Sequence, residues 1–128
     1  MSTAQSDGIA LRTDGLGALH YVGILAALVT AGVHFRLGFG MFPSGLGISF
    51  ILAGLGFVGA VVLVLIGFRR RTVYQIGIPF TLIQIVLWYY LNFAAGSKSF
   101  PGDVGTLGAV DKAAQVVLLV VLAALLGE

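Results

Sequence analysis

Two histidines, His20 and His34, stand fourteen residues apart in LHYVGILAALVTAGVHFR, a stretch that is otherwise almost wholly apolar. Imidazole exchanges protons near neutral pH and ligates metals and haem iron. Fourteen residues turn an α-helix by about 1,400°, roughly 40° short of four turns, and advance it by about 21 Å. Both rings therefore share one helix face, too far apart to chelate a single ion. A second group of polar residues lies downstream. Thr81, Gln84, Trp88 and Asn92 recur at intervals of three, four and four, which is one helical stripe. Asp111, Lys112 and Gln115 open a later apolar run in VDKAAQ. Ionisable groups inside apolar segments are costly to place and are default candidates for function. In an antiparallel arrangement His34, Gln84, Asn92, Asp111, Lys112 and Gln115, with Arg36 beside them, converge on a polar site for a ligand or a proton. The same residues also suit a structural role: amides as interhelical hydrogen-bonding glue, Asp111 in a helix's first turn, and Trp88, Tyr89 and Tyr90 in an aromatic belt.

The elements that must position these groups follow from composition. Of 128 residues, 59% are hydrophobic and 9% charged, against about a quarter charged in an ordinary soluble domain. Crossing a hydrocarbon core of about 30 Å takes roughly 20 mainly apolar residues. Four stretches meet that length: 16–35, 46–68, 73–94 and 107–126. Their connectors, FPSG, RRRT and GSKSFPGDVG, carry turn residues. Runs such as VVLVLI and VVLLVVLAALL do not alternate, so helices are expected rather than barrel strands. The expected fold is all-α, a transmembrane four-helix up-and-down bundle over 16–128, preceded by a flexible polar leader over 1–15. The leader lacks the basic region of a signal peptide, so the first span is expected to be retained.

Charge distribution sets the expected orientation. Arg12, Arg69, Arg70 and Arg71 fall on one side, and Arg36, Lys98 and Lys112 on the other. The compact arginine run places both termini in the cytoplasm of a multi-pass protein of the plasma membrane. Lipid-headgroup recognition is a second use for that run. Small residues at Gly23, Ala27 and Ala31, and at Gly56 and Ala60, are expected to let helices approach within the chain; they also permit a dimer. Pro79 removes an amide from the third span and predicts a kink there, with Thr81 placed to satisfy freed backbone.

Much chemistry is excluded or disfavoured. There is no cysteine, so neither a disulfide nor a thiolate metal site can form. No H-E-x-x-H or phosphate-loop motif occurs, and no serine has a recognisable base partner. No metal site and no catalytic residue is expected. Seven basic residues in small clusters do not make the basic face that nucleic acid requires.

Two resemblances bear on function. The spacing of His20 and His34 resembles that in membrane cytochromes b, which stack two haems across the bilayer. That likeness covers two residues of one helix. No second helix offers histidine, so haem b would need a two-fold homodimer pairing each residue with its copy. Separately, LHYVGI, GISFILAGLGF, GIPFTLIQIVLWYYLNF and VDKAAQ look like a family of small, uncharacterised four-span proteins of halophilic archaea. This likeness implies the same fold and no activity. The expectation is an integral membrane protein without catalysis of its own, either a partner-binding subunit of a homodimer or larger complex, or a bundle that handles a small ligand or ion. The alternative is a haem-binding homodimer carrying electrons across the lipid bilayer through His20 and His34.

Overall fold

The computed structural model describes residues 10–128. Four helices follow one another: α1 (Ala18–Met41), α2 (Gly45–Leu65), α3 (Arg70–Tyr89) and α4 (Thr106–Leu126). No strand occurs among the described residues. All four helices are long and apolar enough to cross a membrane. α1 packs against α2 and α4, and α3 packs mainly against α4 with a lighter contact to α2. Gly38 meets Gly47 near the first turn, while Phe35 meets Gly54 farther along, so α1 and α2 are antiparallel. Gly23 against Val121 and Gly77 against Leu122 set α4 antiparallel to both α1 and α3. The result is an up-down-up-down bundle.

Local chemistry marks the helix ends. His20 Nδ1 accepts the Gly17 N–H at 2.9 Å and so caps the start of α1 with a side chain. α1 runs past Arg36 to Met41 because Arg36 is exposed and disturbs nothing; the chain turns at Pro43. Ser44 caps α2 by accepting the Gly47 N–H at 3.0 Å. Between α2 and α3 the backbone reverses through two left-handed residues, Gly67 at φ 73° and Arg69 at φ 49°. α3 continues through Pro79 and passes into a π-helical turn, Tyr90–Ala94. Wider π-helical spacing leaves Ala95 N–H donating to Tyr90 O at 2.8 Å.

The interior holds polar side chains as well as apolar ones, and many large apolar side chains face outward. Gln115, Thr30 and Thr81 are the largest side chains buried almost completely, and all three are polar. Leu25, Val86 and Val120 point outward with 64–65% of their surface exposed. An apolar cluster fills the bundle on the side of the α2–α3 turn, from Ala27 and Phe57 to Val64, Leu122 and Leu125.

Part of the leader lies against that end of the bundle. Arg12 N–H donates to Leu65 O at 2.7 Å. The Arg70 guanidinium reaches Val64 O through Nε at 2.8 Å, Asp14 O through Nη1 at 3.4 Å, and Arg12 O through Nη2. Arg71 Nη2 donates to Leu126 O at 3.3 Å. The basic run thus joins the leader, α2, α3 and α4. The first nine leader residues lie outside the described residues.

Candidate functional site

Asp111 is the centre of the polar site. Its place is the second turn of α4, on the face turned towards α1, and it is 5% exposed. One carboxylate oxygen, Oδ1, accepts the Thr30 hydroxyl from α1. The other, Oδ2, accepts from the Lys112 ammonium at 2.7 Å. A buried carboxylate must be paired and hydrogen-bonded to remain charged, and these two contacts meet both conditions.

His34 sits one turn beyond Thr30 on α1 and is 6% exposed. Its Nδ1 lies 2.8 Å from Thr30 O. A carbonyl only accepts, so Nδ1 carries the proton and Nε2 is the basic nitrogen of the neutral ring. The same Nδ1 lies 3.7 Å from Asp111 Oδ1. Phe50 and Phe57 of α2 flank the imidazole, with ring centroids 5.3 and 5.8 Å away.

Lys112 is held on several sides. Besides Asp111, its ammonium donates to Gln115 Oε1 at 2.7 Å, and it stands over the Trp88 ring 5.1 Å from the centroid. This is a cation cage of carboxylate, amide oxygen and aromatic face, filled by the chain's own ammonium. Gln115 Nε2 passes the network to α3 by donating to Gln84 Oε1 at 3.1 Å. Gln84 Nε2 has no partner among the described residues.

Of the residues expected to converge, His34, Gln84, Asp111, Lys112 and Gln115 form one connected cluster. Asn92 stays apart: its Nδ2 donates to Trp88 O at 2.9 Å, on its own helix. Arg36 is exposed. His20 belongs to the opposite end of α1, 6.4 Å from the Tyr74 ring. Sequence reasoning missed Thr30, which links Asp111 to the His34 turn. A threonine four residues before a histidine was the available signal, because that interval stacks both on one face. Thr81 does not repair the backbone freed by Pro79; its hydroxyl is buried without a hydrogen bond among the described residues.

The Asp111 carboxylate holds the Lys112 ammonium at 2.7 Å and lies 3.7 Å from the His34 imidazole, with the rings of Phe50, Phe57 and Trp88 around them. Among the described residues no group of three or more histidine, aspartate or glutamate side chains is placed to hold a metal ion. The sequence model of a family of unknown function (DUF7475) matches residues 6–126. No curated protein and no solved structure matches the chain.

Proposed function

We propose that this chain, which belongs to that family of unknown function, is a multi-pass membrane bundle that binds and releases a proton at the His34–Asp111–Lys112 cluster. The observation that carries the reading is the buried contact of imidazole, carboxylate and ammonium inside four apolar helices. Apolar groups outward and polar groups inward suit lipid surroundings, where interior polar groups must satisfy one another. The arginine run at the α2–α3 turn and the leader's Arg12 favour a cytoplasmic side for both termini. Here the bundle acts as a proton-handling element rather than an enzyme.

The test is nitrogen-15 spectroscopy of the imidazoles in bilayers, with infrared spectroscopy of the Asp111 carboxylate. His34 should gain and lose a proton reversibly as the bulk proton concentration is varied. The Asp111 carboxylate band should move with it, and His34→Gln should abolish that coupled change. A His34 ring that keeps one protonation state throughout, in a folded protein, would sink the reading.

A role as a subunit of a larger complex is favoured by α3. Ile76, Ile83 and Val86 are 57–64% exposed on that helix, which leaves an apolar face for lipid or a partner helix. Cross-linking from α3 in native membranes would separate the two. The haem-homodimer reading asks His34 to leave Phe50, Phe57 and Thr30 for an outer face, so the geometry favours the proton. A Soret band in protein taken from its own membrane, lost in His20→Ala or His34→Ala, would reverse that preference.

A further inference from the structure

A cavity of about 70 Å³ lies inside the bundle on the side of the α2–α3 turn, and its walls are almost wholly apolar. An apolar cavity of about 150 Å³ stays dry and binds benzene, so one of half that size suits a few methylenes of hydrocarbon. Gly56, Ala60 and Val64 recur every four residues on α2 and face Val73, Gly77 and Phe80 of α3 across it. These two helices touch only lightly. Gly56 is exposed, and Ala60, Val73, Gly77 and Phe80 are partly exposed, so the cavity opens outward as a groove between α2 and α3. The Phe80 ring closes its deep end, 2.7 Å from where a Cβ on Gly56 would lie. Ala60 and Gly77 are too small to close the rest.

The shallow end of the groove meets the α2–α3 turn, where basic residues collect. Arg70 is spent on the leader and α2. Arg69 and Arg71 are exposed. Arg69 stands over the Phe68 ring, 5.3 Å from its centroid, and Arg71 makes one long contact to Leu126 O at 3.3 Å. Neither pairs with a carboxylate among the described residues. Arg12, Arg69, Arg70 and Arg71 outnumber Asp14 and Glu128, the acidic side chains described at this end. An apolar groove thus runs inward from a positive rim. Arg69 and Phe80 are eleven residues apart, about 16 Å of helix. Half of a hydrocarbon core of about 30 Å is the depth that one lipid chain reaches from its headgroup, and the two lengths agree.

We infer that the α2–α3 groove is a binding site for an anionic phospholipid. One chain lies along Val73, Gly77 and Ala60 with part of its length in the cavity, and the phosphate rests against Arg69 and Arg71. Dispersion contacts with the cavity walls hold the chain. The guanidiniums select the headgroup, as basic clusters at a membrane face do. The site rests on the membrane part of the reading above and not on the proton, since the Asp111 cluster lies towards the other end of the bundle.

The test uses the full chain in vesicles of phosphatidylcholine with a minority of phosphatidylglycerol, the chains of one lipid at a time being labelled with carbon-13. Val61 and Leu122 line the cavity and are only 7% exposed, so solid-state cross-peaks from a lipid chain to their methyls report entry rather than contact with the outer surface. Phosphatidylglycerol should give these cross-peaks in preference to phosphatidylcholine. Arg69→Gln and Arg71→Gln should each cut that preference about fivefold, the worth of one basic side chain beside an anionic membrane surface. Ala60→Leu should fill the groove and remove the cross-peaks. Their absence from both lipids in a folded, embedded native protein overturns the inference. So do equal cross-peaks from the two lipids, or contacts at Val61 and Leu122 from a second copy of the chain. A chain that stays compact in the aqueous fraction without detergent takes the membrane reading down, and the lipid site with it; a His34 that takes up no proton leaves the site standing.

Discussion

Asp111 shows what burial asks of a single charge. With side-chain exposures of 7% and 15%, Asp111 and Lys112 are both largely withdrawn from water. Removing one partner of such a pair leaves the other uncompensated, which typically costs about 3–5 kcal/mol. Asp111→Asn should therefore destabilise the bundle by about that amount in reversible unfolding from mixed micelles. Adding Lys112→Met should recover much of the loss, since the stranded ammonium disappears; a double-mutant cycle measures this coupling directly. Thr30→Val tests the third member. It conserves shape and removes the donor to Asp111 Oδ1, so a loss of about 1–3 kcal/mol is expected in the same assay. An unchanged midpoint for Thr30→Val would mean that the hydroxyl is spare.

The elements meet where backbones come close, and glycine controls that approach. A Cβ added at Gly47 would lie 2.7 Å from the Met41 carbonyl carbon and 2.9 Å from Gly38 O, and neither backbone atom can move aside cheaply. Gly47→Ala should cost about 1–3 kcal/mol, the usual range for overpacking. Gly59 faces open space. Gly59→Ala should be neutral or stabilising by up to about 1 kcal/mol, the helix-propensity difference between the two residues. Both are read by thermal melting in detergent; equal effects at the two sites would contradict the α1–α2 contact described above. The glycines singled out from sequence pack within the chain: Gly23 meets Val121 and Gly56 meets Phe80. The Gly38–Gly47 approach escaped the pattern because its two members sit on different helices, and a spacing rule sees one helix at a time.

At the scale of the whole molecule, Arg70 ties the chain's early residues to the end of the bundle. Its three backbone acceptors lie on the leader and on α2. Arg70→Ala should release the segment around Arg12, and trypsin should then cut after Arg12 faster than in the native protein. Equal cutting rates would mean that the clasp contributes nothing in solution. The whole bundle also divides its polarity by depth: the charged cluster lies towards the α1 C-terminus and α4 N-terminus, and the apolar cluster lies towards the other end.

Composition and run length were enough to read four helices and their order, because a helix in apolar surroundings needs only length and apolar character, and both are local properties. Short connectors were enough to read antiparallel neighbours. The polar partnership was only half legible. Asp111, Lys112 and Gln115 announce themselves as polar residues in an oily run, and Gln84 does so on the stripe that faces them. Asn92 shares that stripe yet, within the π-helical turn Tyr90–Ala94, its amide turns back onto the Trp88 carbonyl. Thr30 draws its meaning from Asp111, on another helix. Rotation of each helix about its axis decides which of its polar side chains face a partner, and that rotation follows from packing among all four helices rather than from any one segment.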